Sequence, residues 1–328
     1  MRRLRAAAAG LCAAALAGCA SGGQTTPVVA PAGSYYLSLG DSLAQGVQAD
    51  PFGHVGDTDH GYADQFYGMI HPGRRNLRLV KLGCPGETTR SMIRGRHCPY
   101  PAGSQLAQAV PFLHDHRGRV SVITLDIGAN DRRSCFTDPV HAPVPPCSTG
   151  PAAPTAANLA LILARLRAAA GPRTVIIGMT YYAPELPEWR YGPAGRVRAH
   201  VSERLSLAFD AELARVYRAA GDRVADVAGA FATADFTGRV RVKSVGMMPP
   251  NVAAICRWTW ICAPRPRGPN KHPDEAGYRA IARAFLAAYR AAPTVIARAA
   301  GDDLRPEPAR SAVHGGPRGS SRAARDSR

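Results

Sequence analysis

Hydrophobic positions follow two patterns that alternate along the chain. Short runs dense in apolar and β-branched residues read as strands: "YYLSL" (35–39), "LRLVKL" (77–82), "VSVITLDI" (120–127), "TVIIGMT" (174–180) and "DRVADV" (222–227). The middle runs are nearly continuous, as expected when both faces of a strand are buried. Between them, Leu159, Ile162, Leu163 and Leu166 share one helical face, and so do Leu205, Phe209, Leu213 and Val216. Near the C-terminus, Tyr278, Ile281, Phe285 and Tyr289 follow Asp274, a good N-cap. Strand–helix alternation of this kind predicts an α/β fold: a parallel five-stranded sheet covered by helices on both faces, three layers in all. Sites in such sheets lie beyond the carboxyl ends of the strands, so the residues just after each strand are the informative ones.

The ends of the chain change the picture. Residues 1–18 carry Arg2, Arg3 and Arg5, then a short apolar run. The run is too short to span a bilayer and fits an export signal. It closes on Leu16-Ala17-Gly18-Cys19, which resembles a bacterial lipobox. That resemblance implies a lipidated Cys19 and a membrane anchor, where an ordinary signal would be cut near Ala20. Both versions place the protein outside the cytoplasm. Residues 19–33 are small, polar and Pro-containing and read as a flexible tether. Residues 34–292 form one folded unit, and 293–328 lose apolar periodicity and read as a disordered basic tail.

Of eight cysteines, Cys12 and Cys19 lie in the leader. The other six, an even number, suit an oxidising compartment. Sequential pairing would join Cys84 to Cys98, Cys135 to Cys147 and Cys256 to Cys262, one of fifteen connectivities. There is no C-x-x-C pair, which disfavours zinc. "DTDH" (57–60) and "HDH" (114–116) lack the helical H-x-x-x-H spacing of a metal site. No metal or cofactor is expected. The net charge of +17 is nearly all arginine, with no basic stripe interleaved with aromatics. This suits attraction to an anionic envelope rather than nucleic-acid binding.

Four strand-end or loop residues carry candidate chemistry. Ser42, in Gly40-Asp41-Ser42-Leu43, follows the first strand. It reads either as a helix-capping serine or as a hydroxyl presented at the sheet edge. Gly86, in "GCPGETTRS", permits close backbone approach after the second strand. Asn130, in Gly128-Ala129-Asn130-Asp131, offers an amide donor after the third. His272 stands at the start of the last helix, a position suited to a base. Asp41 and Asp131 read as turn holders.

These blocks, G-D-S-L, Gly86, G-A-N-D and H-P, in this order across roughly residues 34–292, resemble the GDSL or SGNH hydrolase family, closest to its secreted actinobacterial esterases and lipases. The resemblance implies a flavodoxin-like sandwich of sheet order 2-1-3-4-5. It implies Ser42 as nucleophile, His272 as base, and an oxyanion hole of the Ser42 and Gly86 N–H groups with the Asn130 amide. The implied partner is an ester substrate. A monomer is the expected state, though no residue pattern in the chain fixes it. "MTYYAPELPEW" (179–189) and the local cysteine pairs fit the same branch. No G-x-S-x-G elbow occurs.

One position departs from the pattern. The family places an aspartate three residues before the histidine, and here Pro269 stands there. The His272 ring then needs another partner: a main-chain carbonyl of residues 257–270, the Asn270 side chain, or a distant carboxylate. The carbonyl is the first expectation. Pro269 also motivates a rival of another class, an inactive binding lipoprotein on the same fold. Within the hydrolases the rival is a carbohydrate O-acetylesterase. Tyr181, Tyr182 and Trp189 are candidates for the substrate pocket or for ordinary packing.

Overall fold

The computed structural model describes residues 34–135, 152–243 and 245–291. Five strands form one sheet: β1 (Ser34–Gly40), β2 (Leu77–Lys81), β3 (Val120–Asp126), β4 (Val175–Met179) and β5 (Arg223–Ala225). All pairings are parallel, in the spatial order β2-β1-β3-β4-β5. This is the expected α/β architecture and strand order. Tyr36, Leu37 and Leu39 of β1 and Val122, Ile123 and Leu125 of β3 are wholly buried, which explains their dense apolar runs; the equally buried Ser38 and Thr124 interrupt them.

The helices are α1 (Ser42–Gln45), α2 (Tyr62–Ile70), α3 (Thr89–Arg94), α4 (Gln105–Asp115), α5 (Ala152–Ala170), α6 (Gly192–Ala219), α7 (Val227–Ala230), α8 (Pro250–Trp258) and α9 (Glu275–Arg290). α2 and α9 pack together on one face of the sheet; α3, α4, α5 and α6 cover the other. Leu159, Ile162, Leu163 and Leu166 of α5 are fully buried, as their spacing predicts. On α6, Phe209, Leu213 and Val216 are buried while Leu205 is only half-buried. Asp274 caps α9 by accepting from Gly277 N at 2.8 Å. Phe285 of α9 stacks on Tyr62 of α2, their ring centroids 4.7 Å apart.

The register sets the site. Gly40 at the end of β1 lies opposite Asp126 at the end of β3. Beyond β2 the ladder continues through Cys84 N to Gly40 O at 3.1 Å. The residues after β1, β2 and β3 therefore leave from one rim of the sheet.

Two of the expected disulfides are present, Cys84–Cys98 and Cys256–Cys262. Cys147 lies outside the described residues, as do Cys19, the leader and tether, and residues 292–328. Among the described residues no helix is long and apolar enough to cross a membrane.

Candidate active site

The chain leaves β1 through Gly40 at φ +135°, where an added Cβ would meet the Asp126 carbonyl oxygen. Only glycine turns there without strain. Gln105 of α4 clamps the turn from both sides: Gly40 N donates to Oε1 and Nε2 donates to Gly40 O, each at 2.8 Å. Asp41 then caps α1 through Oδ1, which accepts from Leu43 N at 3.0 Å. The capping role thus falls to Asp41, and Ser42 is left with its hydroxyl outward. Ser42 Oγ lies 3.0 Å from His272 Nε2.

His272 is held by a small network before α9. Pro273 bridges Thr259, Trp260 N donates to His272 O at 3.1 Å, and Asp274 N donates to Trp258 O at 3.0 Å. Tyr182 donates its hydroxyl to Lys271 O at 2.8 Å. The Cys256–Cys262 bridge closes the adjoining turn. On the far side of the ring, Nδ1 meets Asn270 Oδ1 at 2.8 Å. The expected main-chain carbonyl is therefore not the partner. Trp258 O and Trp260 O are already engaged by the N–H groups of Asp274, Ala263 and Asn270. Pro269 is exposed and takes no part.

Asn130 sits in the 3-10 turn Ala129–Cys135 after β3. Its Nδ2 donates to Asp41 Oδ2 and to Glu87 O, each at 3.0 Å. Both amide hydrogens are thus in use, and an oxyanion would compete with these acceptors. Asp131 binds Thr89 N at 2.9 Å and Thr89 Oγ1 at 2.5 Å, tying this turn to α3. Gly86 adopts φ +86° in the neighbouring turn, where a Cβ would run into the His97 ring. It is joined to the site through Glu87 but is not among the residues lining the cleft at Ser42. The structure therefore brings Ser42, Asn130 and His272 into one cleft, with Gly86 in the adjoining turn, two residues after Cys84, whose N donates to Gly40 O.

Sequence reasoning missed several residues here. Asp126 is wholly buried beneath α1; its Oδ2 accepts from Asp41 N and Ala44 N at 3.2 and 3.3 Å, and its Oδ1 from Tyr62 OH at 2.5 Å. The acid inside the apolar run "VITLDI" was the available signal. Burial, then the Asp41 charge, pushes Asp126 well above the usual carboxylate range. Burial pushes Asp41 up to about 6. Burial first, then the adjacent Lys271, pulls His272 down to about 4, so its ring is neutral and able to accept a proton.

The cleft encloses about 350 Å³. Leu43, Ala129, Tyr181, Tyr182 and Phe209 form its apolar side, and Arg132, Glu185 and Lys271 a charged side. Arg132 lies over the Phe209 ring at 4.7 Å. Trp189 is not part of the cleft; Arg196 and Arg239 cover its ring. Wider hollows elsewhere, along alanine-rich faces of α5 with α6 and of α9, present no hydroxyl or imidazole. Among the described residues, the one cluster with metal-ligand geometry is Cys84, His97 and Cys98, and its two sulfurs form the disulfide.

The buried acids make stability depend on pH. Asp41, Asp210 and Asp222 are raised mainly by burial, to about 6, 7 and 6 from 3.8. A raised carboxyl favours the folded state while protonated; that contribution is complete below about pH 3.8 and is lost as pH rises through 6 to 7. A shift of about two units corresponds to on the order of 3 kcal/mol. His272 has the opposite sign, costing stability as pH falls from 6.5 toward 4. The three acids outweigh one histidine, so the melting temperature is expected to rise from pH 8 to pH 5.5. A calorimetric series in which it falls would contradict these assignments.

A parallel α/β sheet that brings a serine hydroxyl within 3.0 Å of an imidazole at its rim has the parts of a hydrolytic site. The GDSL-like lipase/acylhydrolase family profile matches residues 38–280, and the chain belongs to that family of carboxylic ester hydrolases. Solved structures of similar fold include an extracellular lipase from Streptomyces rimosus (16% identity, TM-score 0.49, 78% of this chain and 99% of that one). They also include phospholipase A1 from Streptomyces albidoflavus (16%, 0.46, 78% and 100%) and the acetylxylan esterase Axe2 from Geobacillus stearothermophilus (19%, 0.46, 80% and 97%). No curated sequence matches the chain.

Proposed function

We propose that the protein is an exported serine esterase or lipase that cleaves carboxylic esters through an acyl-enzyme on Ser42. The observation that carries this reading is the 3.0 Å approach of Ser42 Oγ to His272 Nε2, between residues 230 positions apart. Ser42 Oγ attacks the ester carbonyl while His272 Nε2 takes its proton. The oxyanion is held by the Ser42 and Gly86 N–H groups and by Asn130 Nδ2, which is released from Asp41 or Glu87. His272 then protonates the leaving alcohol, and water repeats the sequence on the acyl-enzyme.

The apolar side of the cleft suits an acyl chain of medium length. A second reading, a carbohydrate O-acetylesterase of the cell envelope, draws support from Arg132, Glu185 and Lys271, which suit a hydroxyl-rich alcohol better than a long alkyl chain. The disulfides and the N-terminal pattern support an extracytoplasmic location, with Cys19 as lipid anchor, residues 19–33 as tether, 34–292 as a monomeric catalytic domain and 293–328 as tail. A panel of p-nitrophenyl esters from acetate to palmitate tests the substrate class. Turnover is expected to peak at medium chain length and fall at palmitate. Acetyl release from an acetylated polysaccharide, with no activity on longer esters, would favour the second reading. No hydrolysis of any ester would reject both.

A further inference from the structure

We infer that Asn270 is the positioning residue of the Ser42–His272 pair, a neutral amide that fixes the imidazole tautomer in place of the missing carboxylate. This rests on the serine-esterase reading above. Asn270 Oδ1 meets two nitrogens of the same residue, the main-chain N of His272 at 2.9 Å and its ring Nδ1 at 2.8 Å. A main-chain N–H can only donate, so the amide atom facing it is the oxygen. The same oxygen faces Nδ1, which must then carry the ring proton. Nε2 is left as the acceptor, and it is Nε2 that faces Ser42 Oγ.

An asparagine beside a catalytic imidazole is harmful when its amide turns the NH₂ group inward. The ring then protonates on the wrong nitrogen, and turnover falls by about 10⁴-fold. Here the two-residue spacing from Asn270 to His272 lets the main chain hold the amide in the useful orientation. Asn270 N also donates to Trp260 O at 3.2 Å, while Trp260 N donates to His272 O at 3.1 Å. Asn270 and His272 are thus tied to one residue on the turn closed by Cys256–Cys262.

The consequence is electrostatic. The charged groups around His272 are Lys271 beside it, Asp274 at the cap of α9, Asp41 on the serine side, and Glu185 and Arg132 across the cleft. The structure pairs Nδ1 with Asn270 and with none of these acids. A buried ring with a neutral partner stays unprotonated to lower pH than one paired with a carboxylate. The family's aspartate would hold the ring proton and attract the imidazolium; Asn270 does only the first.

Three variants test this: Asn270→Ala, Asn270→Asp and Ser42→Ala, each followed by kcat, KM and the pH profile of kcat/KM on one p-nitrophenyl ester. Asn270→Ala is expected to lower kcat about 100-fold or more, with KM within about threefold. Asn270→Asp keeps an acceptor for both His272 nitrogens and adds a charge. It is expected to retain kcat at pH 8 and to move the acid limb of kcat/KM up by about one pH unit or more. An unmoved limb in Asn270→Asp would overturn the inference. So would wild-type kcat in Asn270→Ala. If Asn270→Ala does not fold, the limb of Asn270→Asp decides alone. Ser42→Ala separates the two claims: if it is inactive while both Asn270 variants match wild type, only the positioning role fails. If Ser42→Ala is itself fully active, the serine reading fails first.

Discussion

Ser42→Ala is expected to lower kcat on p-nitrophenyl butyrate by about 10⁴-fold or more, with the fold intact. The alanine removes the only hydroxyl within reach of His272 Nε2 in the described structure. The residual rate would come from binding and the N–H donors alone. Stability should hold, because the capping bond of α1 comes from Asp41 and not from Ser42. The other contact of the serine hydroxyl, to Asp41 Oδ1, is long at 3.5 Å. An unchanged melting temperature with lost turnover is the expected pair of results. Turnover within tenfold of wild type would place the nucleophile elsewhere.

Asn130→Ala is expected to lower kcat by about 10²- to 10³-fold, the usual effect of removing one oxyanion donor. It should also destabilise, which distinguishes it from Ser42→Ala. Without the amide, Asp41 Oδ2 and Glu87 O lose their donor at a partly buried site. Leaving such acceptors unpaired costs about 1 to 3 kcal/mol. Reduced kcat with a lowered melting temperature is the expected pair. A variant that melts early yet keeps kcat within threefold would mean that Asn130 organises the turn and never donates to the reaction.

The two Asn130 contacts show why the site was only partly legible in the chain. Ser42, Asn130 and His272 were readable because each follows a strand or opens a helix, and parallel topology sends those ends to one rim. What each side chain touches was not readable. Asn130 looked like a free donor, yet both its hydrogens are engaged across 89 and 43 residues of sequence. Gln105, Asp126 and Tyr62 support Gly40 and Asp41 from separate elements, and no local pattern announces them. Asn270 could be named as an option, but choosing it over a carbonyl required knowing which carbonyls of the 257–270 turn were already bonded.

The fold was more legible, for a physical reason. Strands buried on both faces are dominated by apolar residues, so β1, β3 and β4 appear as runs with ends correct to one residue. β5 is shorter than its run because only Arg223–Ala225 pair with β4. α5, α6 and α9 are long enough to show a periodic face. α1 and α7 have four residues each, too few for any period. α4 carries Pro111 within it and α8 opens on Pro250, and proline reads as a break rather than a helix.

Activation of Ser42 by His272 is tested most directly by reaction with a fluorophosphonate probe and peptide mass spectrometry. One adduct per chain, on the peptide containing Ser42, is expected in the wild type, with labelling slowed at least about 100-fold in His272→Ala. An adduct on another residue, or equal labelling rates with and without the imidazole, would contradict it.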